Sequence, residues 1–553
     1  MTAGIGVAAL WGAFAAALLG ALRPRWRPWV AVLGTALGLC VATAALTWAL
    51  ATNDYTLEYV AQAARRGAPA GYRVAGLWGA MAGSLLLWTT FVALWGTSAL
   101  RSTRDQSAAG RAGVTRASSG VTLVFLVPLL TASRPFTVLD RPPLDGTGLN
   151  AVLEHPAMLY HPPLLYLGLT ALFPLAVLAV AGIDVRRRLL ISVALLGAGM
   201  LAGAHWAYQE LGWGGFWAWD PIENAALVPW LVAIAALHER GGRRARVLTV
   251  VAALCAGAGA FLTRSGATVS VHAFGEARAV GWLVLAGLGA ATAVAAVALA
   301  RQRPLDAPER RVPVAVWALV VPAAVIAFAT FIPALLGALL DRPRTIDPRF
   351  FTIFAAPLLL VGAAVAARQV VRRSISMGAA VAHAGVALVA IGAVASSFGW
   401  SATVPLRTGE TAVARGMTLE LVRVDALTRD RRAELVATVR VGERTLRPAL
   451  RAGTPSPTSE TAIASTLVGD LLVTPRRIDA SGLAVIDVHR KPLVPWVWAG
   501  SLAIVAGTLL SLRTRRRGVS AKAGGLARRA PPVPEASAQP RPAEAPPAVL
   551  TER

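Results

Sequence analysis

Long apolar runs separated by short polar stretches set the pattern of this chain. Thirteen of them approach the 20 or so residues that a helix rising about 1.5 Å per residue needs to cross a hydrocarbon layer about 30 Å thick. They predict helices over roughly 3–22, 28–51, 74–100, 117–132, 162–182, 189–208, 223–238, 247–265, 279–300, 313–340, 351–367, 375–398 and 494–512. The fourth is the weakest, because Ser118 and Ser119 dilute its start. Between 399 and 493 the period changes. Thr418–Val424 and Glu434–Val441 alternate apolar and polar side chains, and Leu483–His489 is a third strand-like run, so a β-meander is expected there. Residues 513–553 are basic, rich in Pro and Ala and without periodicity, which predicts a disordered cytoplasmic tail. The expected fold is an all-α polytopic membrane protein of about 13 transmembrane helices. Its core spans 1–398, one small extracytoplasmic β-rich domain spans 399–493, and a last helix spans 494–512.

Composition narrows the function classes. Of 553 residues, 56% are hydrophobic and 15% charged, against about 25% charged in soluble domains. A soluble multidomain enzyme is excluded. The net charge is +25, and only Lys491 and Lys522 among the cations are lysine. Most of the arginines lie in short loops between apolar runs, so they report topology rather than nucleic acid. Cys40 and Cys255 both fall inside apolar runs, with no CxxC, CxxCH or Cys/His cluster. Nothing here reads as a c-type cytochrome, a thiol oxidoreductase or a zinc protein. A secondary transporter would need broken helices and a repeat, neither of which the sequence offers.

The first run begins almost at Met1 and is followed by Arg23, Arg25 and Arg27. A cleavable signal peptide carries its charge on the other side, so this reads as a retained helix with its N-terminus outside. That orientation places 23–27, 101–116, 183–188, 239–246, 301–312 and 368–374 in the cytoplasm, and these loops hold 21 arginines. The longer opposite loops, 52–73, 133–161, 209–222, 266–278 and 341–350, hold nine. The expected location is the cytoplasmic membrane, with the N-terminus outside and the C-terminus inside.

Five of the 17 tryptophans fall within 206–230: Trp206, Trp213, Trp217, Trp219 and Trp230. An aromatic belt at the membrane interface is one reading. A belt scatters its aromatics over many helix ends, whereas this loop gathers them with Gly212, Gly214 and Gly215. Glycine admits close backbone approach, and aromatic faces offer stacking area to a flat ligand. His161 and His272 bracket this loop on one side of the membrane. Two neutral imidazoles flanking a stacking surface suit axial ligation of a haem iron, the other reading being two hydrated interface residues. His238 and His383 each lie 15 residues inward from an outer helix end, about 22 Å deep. Equal depth on two helices suits a second, embedded bis-histidine haem, while His238 alone also reads as a helix-end cation beside Glu239. Asp220 and Glu223 orient the loop, relay protons, or cap the following helix. Arg264 and Arg134 read from residue type as snorkelling cations.

At these residues the chain resembles the WWD family of haem-handling membrane proteins, in its CcmF/NrfE branch of cytochrome c-type biogenesis haem lyases. The match lies in WGGFWAWDPIENAALVPWL at 213–231. It extends to NDYTLEYVA at 53–61, LWGAMAGSLLLW at 77–88, SRPF at 133–136, HPPLLYLG at 161–168, FLTRSGATVSVHAF at 261–274 and AHAGVALVAIG at 382–392. The resemblance implies that His161 and His272 are axial ligands of a transient outer haem b, cradled by Trp213, Trp217, Trp219 and Asp220. It implies that His238 and His383 hold a permanent b-type haem reduced by quinol. The implied activity is attachment of haem through thioethers to the CxxCH of an apocytochrome c, within a multi-subunit complex that includes a haem chaperone and an apocytochrome-binding subunit. His161, His272 and Asp220 are the implied catalytic set, with Glu223 and Arg264 also at the haem. Membrane lipid is the expected surround, and nucleic acid is not an expected partner. A haem exporter and a quinol-linked electron carrier are the competing classes. The chain departs from the family at Met81-Ala82, where His-Glu is common, and in a shorter segment after His272.

Reporter fusions at residues 242 and 306 are expected to be cytoplasmic and those at 145, 214 and 440 outside. An outside signal at 242 would place the aromatic loop in the cytoplasm and overturn this topology.

Overall fold

The computed structural model describes residues 1–239, 241–270, 272, 278–302, 311–340, 342–372, 375–429, 432–453, 457–479 and 481–527, with side chains as far as Arg513. Within these, 13 helical spans are long and apolar enough to cross a membrane, and the chain is a multi-pass membrane protein with a β-rich region. In order, the helices are α1 (Thr2–Leu22), α2 (Pro28–Thr52), α3 (Glu58–Ala63), α4 (Ala70–Gly79), α5 (Met81–Arg101) and α6 (Ala108–Pro128). After two short 3-10 turns come α7 (His161–Val180), α8 (Arg186–Glu210), α9 (Pro221–His238), α10 (Gly242–Leu262), α11 (Arg278–Ala300) and α12 (Val314–Leu339). Then follow a single turn α13 (Pro348–Phe350), α14 (Ala356–Val371), α15 (Met377–Ser397) and, after the strands, α16 (Val494–Ala527).

Three boundaries differ from the hydropathy pattern. The run at 74–100 is two helices, broken where Ala80 is extended (φ −138°, ψ 170°). The buried Tyr59 hydroxyl lies 2.7 Å from Gly76 O and 3.0 Å from Leu77 O, so it donates to carbonyls that α4 leaves free at its end. Every side chain around the break is apolar or small, so hydropathy runs straight through it. The fourth span starts earlier, at Ala108, because Ser107 caps it by accepting from Gly110 N at 3.1 Å. Ser118 and Ser119 are buried within it. The last helix continues to Ala527, past the end of its apolar stretch, since backbone pairing does not stop where hydropathy does. Residues 528–553 of the expected tail lie outside the described residues.

Helix α15 lies against α16 along Gly378, Gly385 and Gly392, spaced by seven. A Cβ on Gly385 would stand 2.5 Å from Gly500 O, so backbone meets backbone there, as in small-residue helix pairs of membranes. This close pair fixes the helix that carries His383.

The β region forms two antiparallel sheets rather than one meander. Strands β1 (Trp400–Arg407), β8 (Ala462–Thr466), β9 (Gly469–Ile478) and β10 (Leu483–Pro492) pair in the order β1-β10-β9-β8. Strands β2 (Thr411–Ala414), β3 (Met417–Arg429), β4 (Arg432–Val441), β6 (Ala449–Arg451) and β7 (Thr458–Glu460) form the other, with β5 (Arg444–Leu446) also on β4. Leu406, Leu421, Val439, Val473, Ile486 and Val488 are fully buried in their shared core. Alternation is therefore clearest where one strand face meets that core.

This domain caps the end of the bundle that carries 149–160 and the aromatic loop. Tyr208 on α8 donates to Asp470 Oδ2 at 3.0 Å, and Thr461 N donates to Gln209 O at 3.4 Å. Trp498 on α16 meets Tyr208 and Phe216 edge-on, at 5.5 and 5.8 Å between centroids. Arg432 on β4 donates to Leu149 O at 2.9 Å and to Glu154 Oε1 at 3.1 Å, while Arg65 holds the same carboxylate at 2.9 Å. Glu154 is 5% exposed. A buried pair of this kind costs about 3–5 kcal/mol when one partner alone is removed. The soluble domain thereby holds down the segment that leads into His161.

Candidate functional site

Helix α7 opens with His161-Pro162-Pro163, prolines being tolerated in a first turn whose N–H groups have no helical acceptor. The His161 ring lies on α8 over Gly203, and Gly199, which presents a carbonyl to it, lets the Leu165 backbone come close. A Cβ on Gly203 would collide with the ring, so only glycine leaves room. His161 Nδ1 is 2.7 Å from Gly199 O. A carbonyl only accepts, so Nδ1 carries the hydrogen and Nε2 keeps its lone pair.

His161 and His272 line one cavity of about 310 Å³. Its wall also includes Trp78, Trp88, Tyr166, Trp206, Met158 and Arg264. The fold thus brings the two histidines named from the sequence to one cavity. Trp213, Trp217 and Trp219 are not among its lining residues. Trp219 instead stacks on Phe351 at 5.6 Å and 15°, with Trp217 edge-on to it at 6.2 Å. Trp213 is 43% exposed. Gly214 fits under the ring of His489 from the soluble domain, where a Cβ would stand 2.8 Å from Cγ. The loop thus packs against the β domain at Gly214 and against Phe351 at Trp219, while the cavity's aromatic faces are Trp78, Trp88, Tyr166 and, from the dense stretch, Trp206. Trp78 and Trp206 are fixed by donating Nε1–H to Met158 O (2.8 Å) and Val152 O (3.2 Å). Trp88 Nε1 is buried without a hydrogen-bond acceptor among the described residues.

Asp220 and Glu223 form a capping box on α9. Asp220 Oδ1 accepts from Ile222 N at 2.7 Å; Glu223 Oε2 accepts from Ala218 N at 2.9 Å and Asp220 N at 3.2 Å. The capping role is thus present, and a second role accompanies it. Ser270 Oγ donates to Asp220 Oδ1 at 2.9 Å and accepts from His272 N at 2.9 Å. His272 Nδ1 faces the same oxygen at 3.6 Å, a charge contact too long for a hydrogen bond. Burial pushes the Asp220 carboxyl up, but His272, Ser270 and the Ile222 N–H outweigh it and hold it below the usual range. Burial pushes His272 down, and Asp220 and Glu223 outweigh that and lift it above its ordinary value. The Asp220 carboxylate faces Nδ1, and Ser270 ties the same oxygen to the main chain of His272. Trp206 meets the His272 ring edge-on at 5.7 Å.

Arg264 is 1% exposed, donates to Thr263 Oγ1 at 2.8 Å and lies 5.5 Å over the Trp88 ring. A buried guanidinium on a cavity wall suits an anionic ligand edge. Arg134, by contrast, donates its Nε–H to Thr131 O at 3.1 Å at an exposed site, and it is not among the cavity's lining residues.

His238 and His383 meet near the opposite end of the bundle, 6.0 Å between centroids with planes at 74°. Their Nδ1 atoms lie 2.9 Å from Ile234 O and 2.6 Å from Ala379 O. Both Nε2 atoms therefore keep lone pairs. Metal–nitrogen bonds of about 2 Å, with each centroid about 1 Å behind its nitrogen, put two imidazoles on one ion about 6 Å apart. The pair fits a single metal centre.

The sequence reading missed Gly203 as the seat for His161, Gly199 as its carbonyl partner, and Ser270 as the link between Asp220 and His272. The Gly-x-Gly-x-x-x-Gly spacing at 197–203 was the available signal for the first.

Residues 78–270 match the family described as cytochrome C assembly protein. The chain is 30% identical over 514 residues to the probable cytochrome c-type biogenesis protein NrfE of Escherichia coli K12, covering 86% of this chain and 93% of that one. It is 38% identical over 273 residues to the cytochrome c-type biogenesis protein ccl1 of Rhodobacter capsulatus (45% and 42% covered). It is 33% identical over 352 residues to CcmF of Pseudomonas aeruginosa (58% and 53%). The matched part thus spans about half the length of the latter two. Among solved structures, the cytochrome c haem lyase CcmF is similar with a TM-score of 0.69 at 25% identity, covering 92% of this chain and 96% of that one.

Gly203→Ala is expected to strengthen helix α8 by propensity yet displace the His161 ring. Haem affinity at the outer cavity should fall about tenfold or more, equivalent to about 1.4 kcal/mol. Haem titration measures this, and unchanged affinity would mean that Gly203 does not seat His161.

Proposed function

The chain belongs to the cytochrome c assembly family, in the branch of CcmF and NrfE, and from that membership we propose that it is the haem lyase component of cytochrome c maturation. The observation that carries the reading is the pair of imidazoles on one aromatic-walled cavity, each with its Nδ1 side turned to an oxygen. Haem is the substrate there. His161 and His272 offer Nε2 to its iron from fixed rings, and Arg264 offers a buried cation to a propionate. Trp78, Trp88 and Trp206 give the cavity flat walls that favour a planar ligand.

Attachment needs two thiols of a CxxCH segment beside two vinyl groups. Each S–H adds across a C=C bond: sulfur bonds one carbon, and the hydrogen ends on the other. No electrons are consumed, so the protein's task is chiefly placement. Asp220 holds His272 in position, and Glu223 holds the loop that holds Asp220. The histidine of the apocytochrome must finally replace one of the two ligands.

His238 and His383 are proposed to hold a resident b-type haem. When bound, that group supplies an electron that keeps the substrate iron ferrous, with quinol as its donor. The two histidines keep their rings fixed through main-chain carbonyls, so ligation needs no rearrangement of either ring. The capped end is proposed to face outward from the cytoplasmic membrane, with the N-terminus outside and the C-terminus in the cytoplasm. An apocytochrome, a subunit that presents it and a haem chaperone would meet the chain on that side.

His161→Ala or His272→Ala is expected to abolish covalent haem on a co-expressed apocytochrome. Exogenous imidazole should restore part of the activity by filling the vacated position. Haem accumulating outside without thioethers in the wild type would instead indicate an exporter. Normal maturation in both mutants would remove the outer pair from the reaction.

A further inference from the structure

We propose that Arg186 is a positioning residue for the inner metal centre: it fixes His238 and raises the reduction potential of the group that His238 and His383 hold. The inference rests on the inner-haem reading above. Its starting point is a helix end. The last carbonyls of a helix have no donor within the helix, and α9 ends at His238 itself. Arg186 opens α8 and directs Nη1 to Leu237 O and, at 3.2 Å, to Glu239 O. These are the carbonyls on either side of His238. The ring is fixed separately, through Ile234 O. The main chain and the imidazole of residue 238 are therefore held from two directions.

Guanidinium suits this place for two reasons. Its Nη1 carries two hydrogens and serves both acceptors, and the group stays charged when partly buried. The neighbouring acid, Glu239, is 5% exposed and accepts from Arg244 Nε at 3.0 Å. Asp184 accepts from the backbone N of Arg186 at 3.0 Å. A cation bonded around an iron ligand and partly withdrawn from solvent acts over a longer range than in water. Reduction adds one electron to the centre. A fixed positive charge beside it stabilises the reduced form, and burial and local charge are among the levers that set such potentials. A residue that merely satisfies carbonyls would leave the potential unmoved when its charge alone is removed.

The experiment is a redox titration of the b-type spectrum of the purified, haem-loaded full chain. Arg186→Gln keeps amide donors for the carbonyls and removes the charge. It should retain the spectrum and shift the midpoint downward by about tenfold in the reduction equilibrium, 59 mV for one electron. Arg186→Lys keeps the charge and should stay near the wild-type midpoint. A Gln variant that titrates like the wild type overturns the proposal, as does a Lys variant that falls as far as Gln. If the Gln variant does not load haem, Arg186 serves assembly of the centre rather than its potential, and the charge proposal is overturned. A b-type spectrum that survives His238→Ala would overturn the inner-haem reading, and this proposal with it.

Discussion

Three imidazoles in this protein, His161, His238 and His383, place Nδ1 within 2.9 Å of a main-chain carbonyl. That contact fixes the tautomer and the ring plane together, and it leaves Nε2 as the only lone pair the side chain can offer. A metal ligand in a membrane needs this more than one in water does, because an unpaired polar ring atom in hydrocarbon is costly. The fourth, His272, instead faces the Asp220 carboxylate at 3.6 Å, a charge contact and not a hydrogen bond. Nearly every other feature of the two sites serves to hold these four rings. Gly203 on α8 makes room for one, and a close helix pair carries another. A capping box turns its acid toward the third, and an arginine brackets the last.

The capping box shows how one residue serves folding and function together. Asp220 starts α9 by accepting from Ile222 N, and the same oxygen takes the Ser270 hydroxyl and faces His272. Glu223 closes the loop behind it. The order Trp-Asp-Pro-x-Glu is thus a helix start whose acid also reaches the ligand loop. The tryptophans before it carry the loop between the soluble domain, through Gly214 against His489, and the membrane helices, through Trp219 on Phe351. The β domain and the helices that wall the cavity are thus joined through one loop. Glu154, tied to Arg432, joins the domain to the segment that ends at His161.

Much of this was legible in the sequence, for a physical reason. Thirteen apolar runs dominate because lipid imposes one rule on every spanning helix. The two histidine pairs were readable because histidine is scarce and depth follows from helical rise: His238 and His383, placed at equal depth, lie 6.0 Å apart. What the sequence hid was local. Ala80 breaks a helix without any change of hydropathy. Five tryptophans at 206–230 stood out by density, yet of these Trp206 alone lines the cavity, beside Trp78 and Trp88 from two other helices. Density along a chain marks a loop of note, whereas the walls of a cavity between helices are drawn from distant positions. Ser270 and Gly203 matter only through partners that the fold brings to them.

The central claim is that four histidines make two separate metal-binding sites. Haem content and reduced-minus-oxidised spectra of the purified wild type and of the alanine variants at 161, 272, 238 and 383 test it directly. The account predicts that His238→Ala and His383→Ala lose a b-type spectrum that His161→Ala and His272→Ala retain. If all four variants lost the same haem, there would be one site, and the electron-relay part of the account would be wrong.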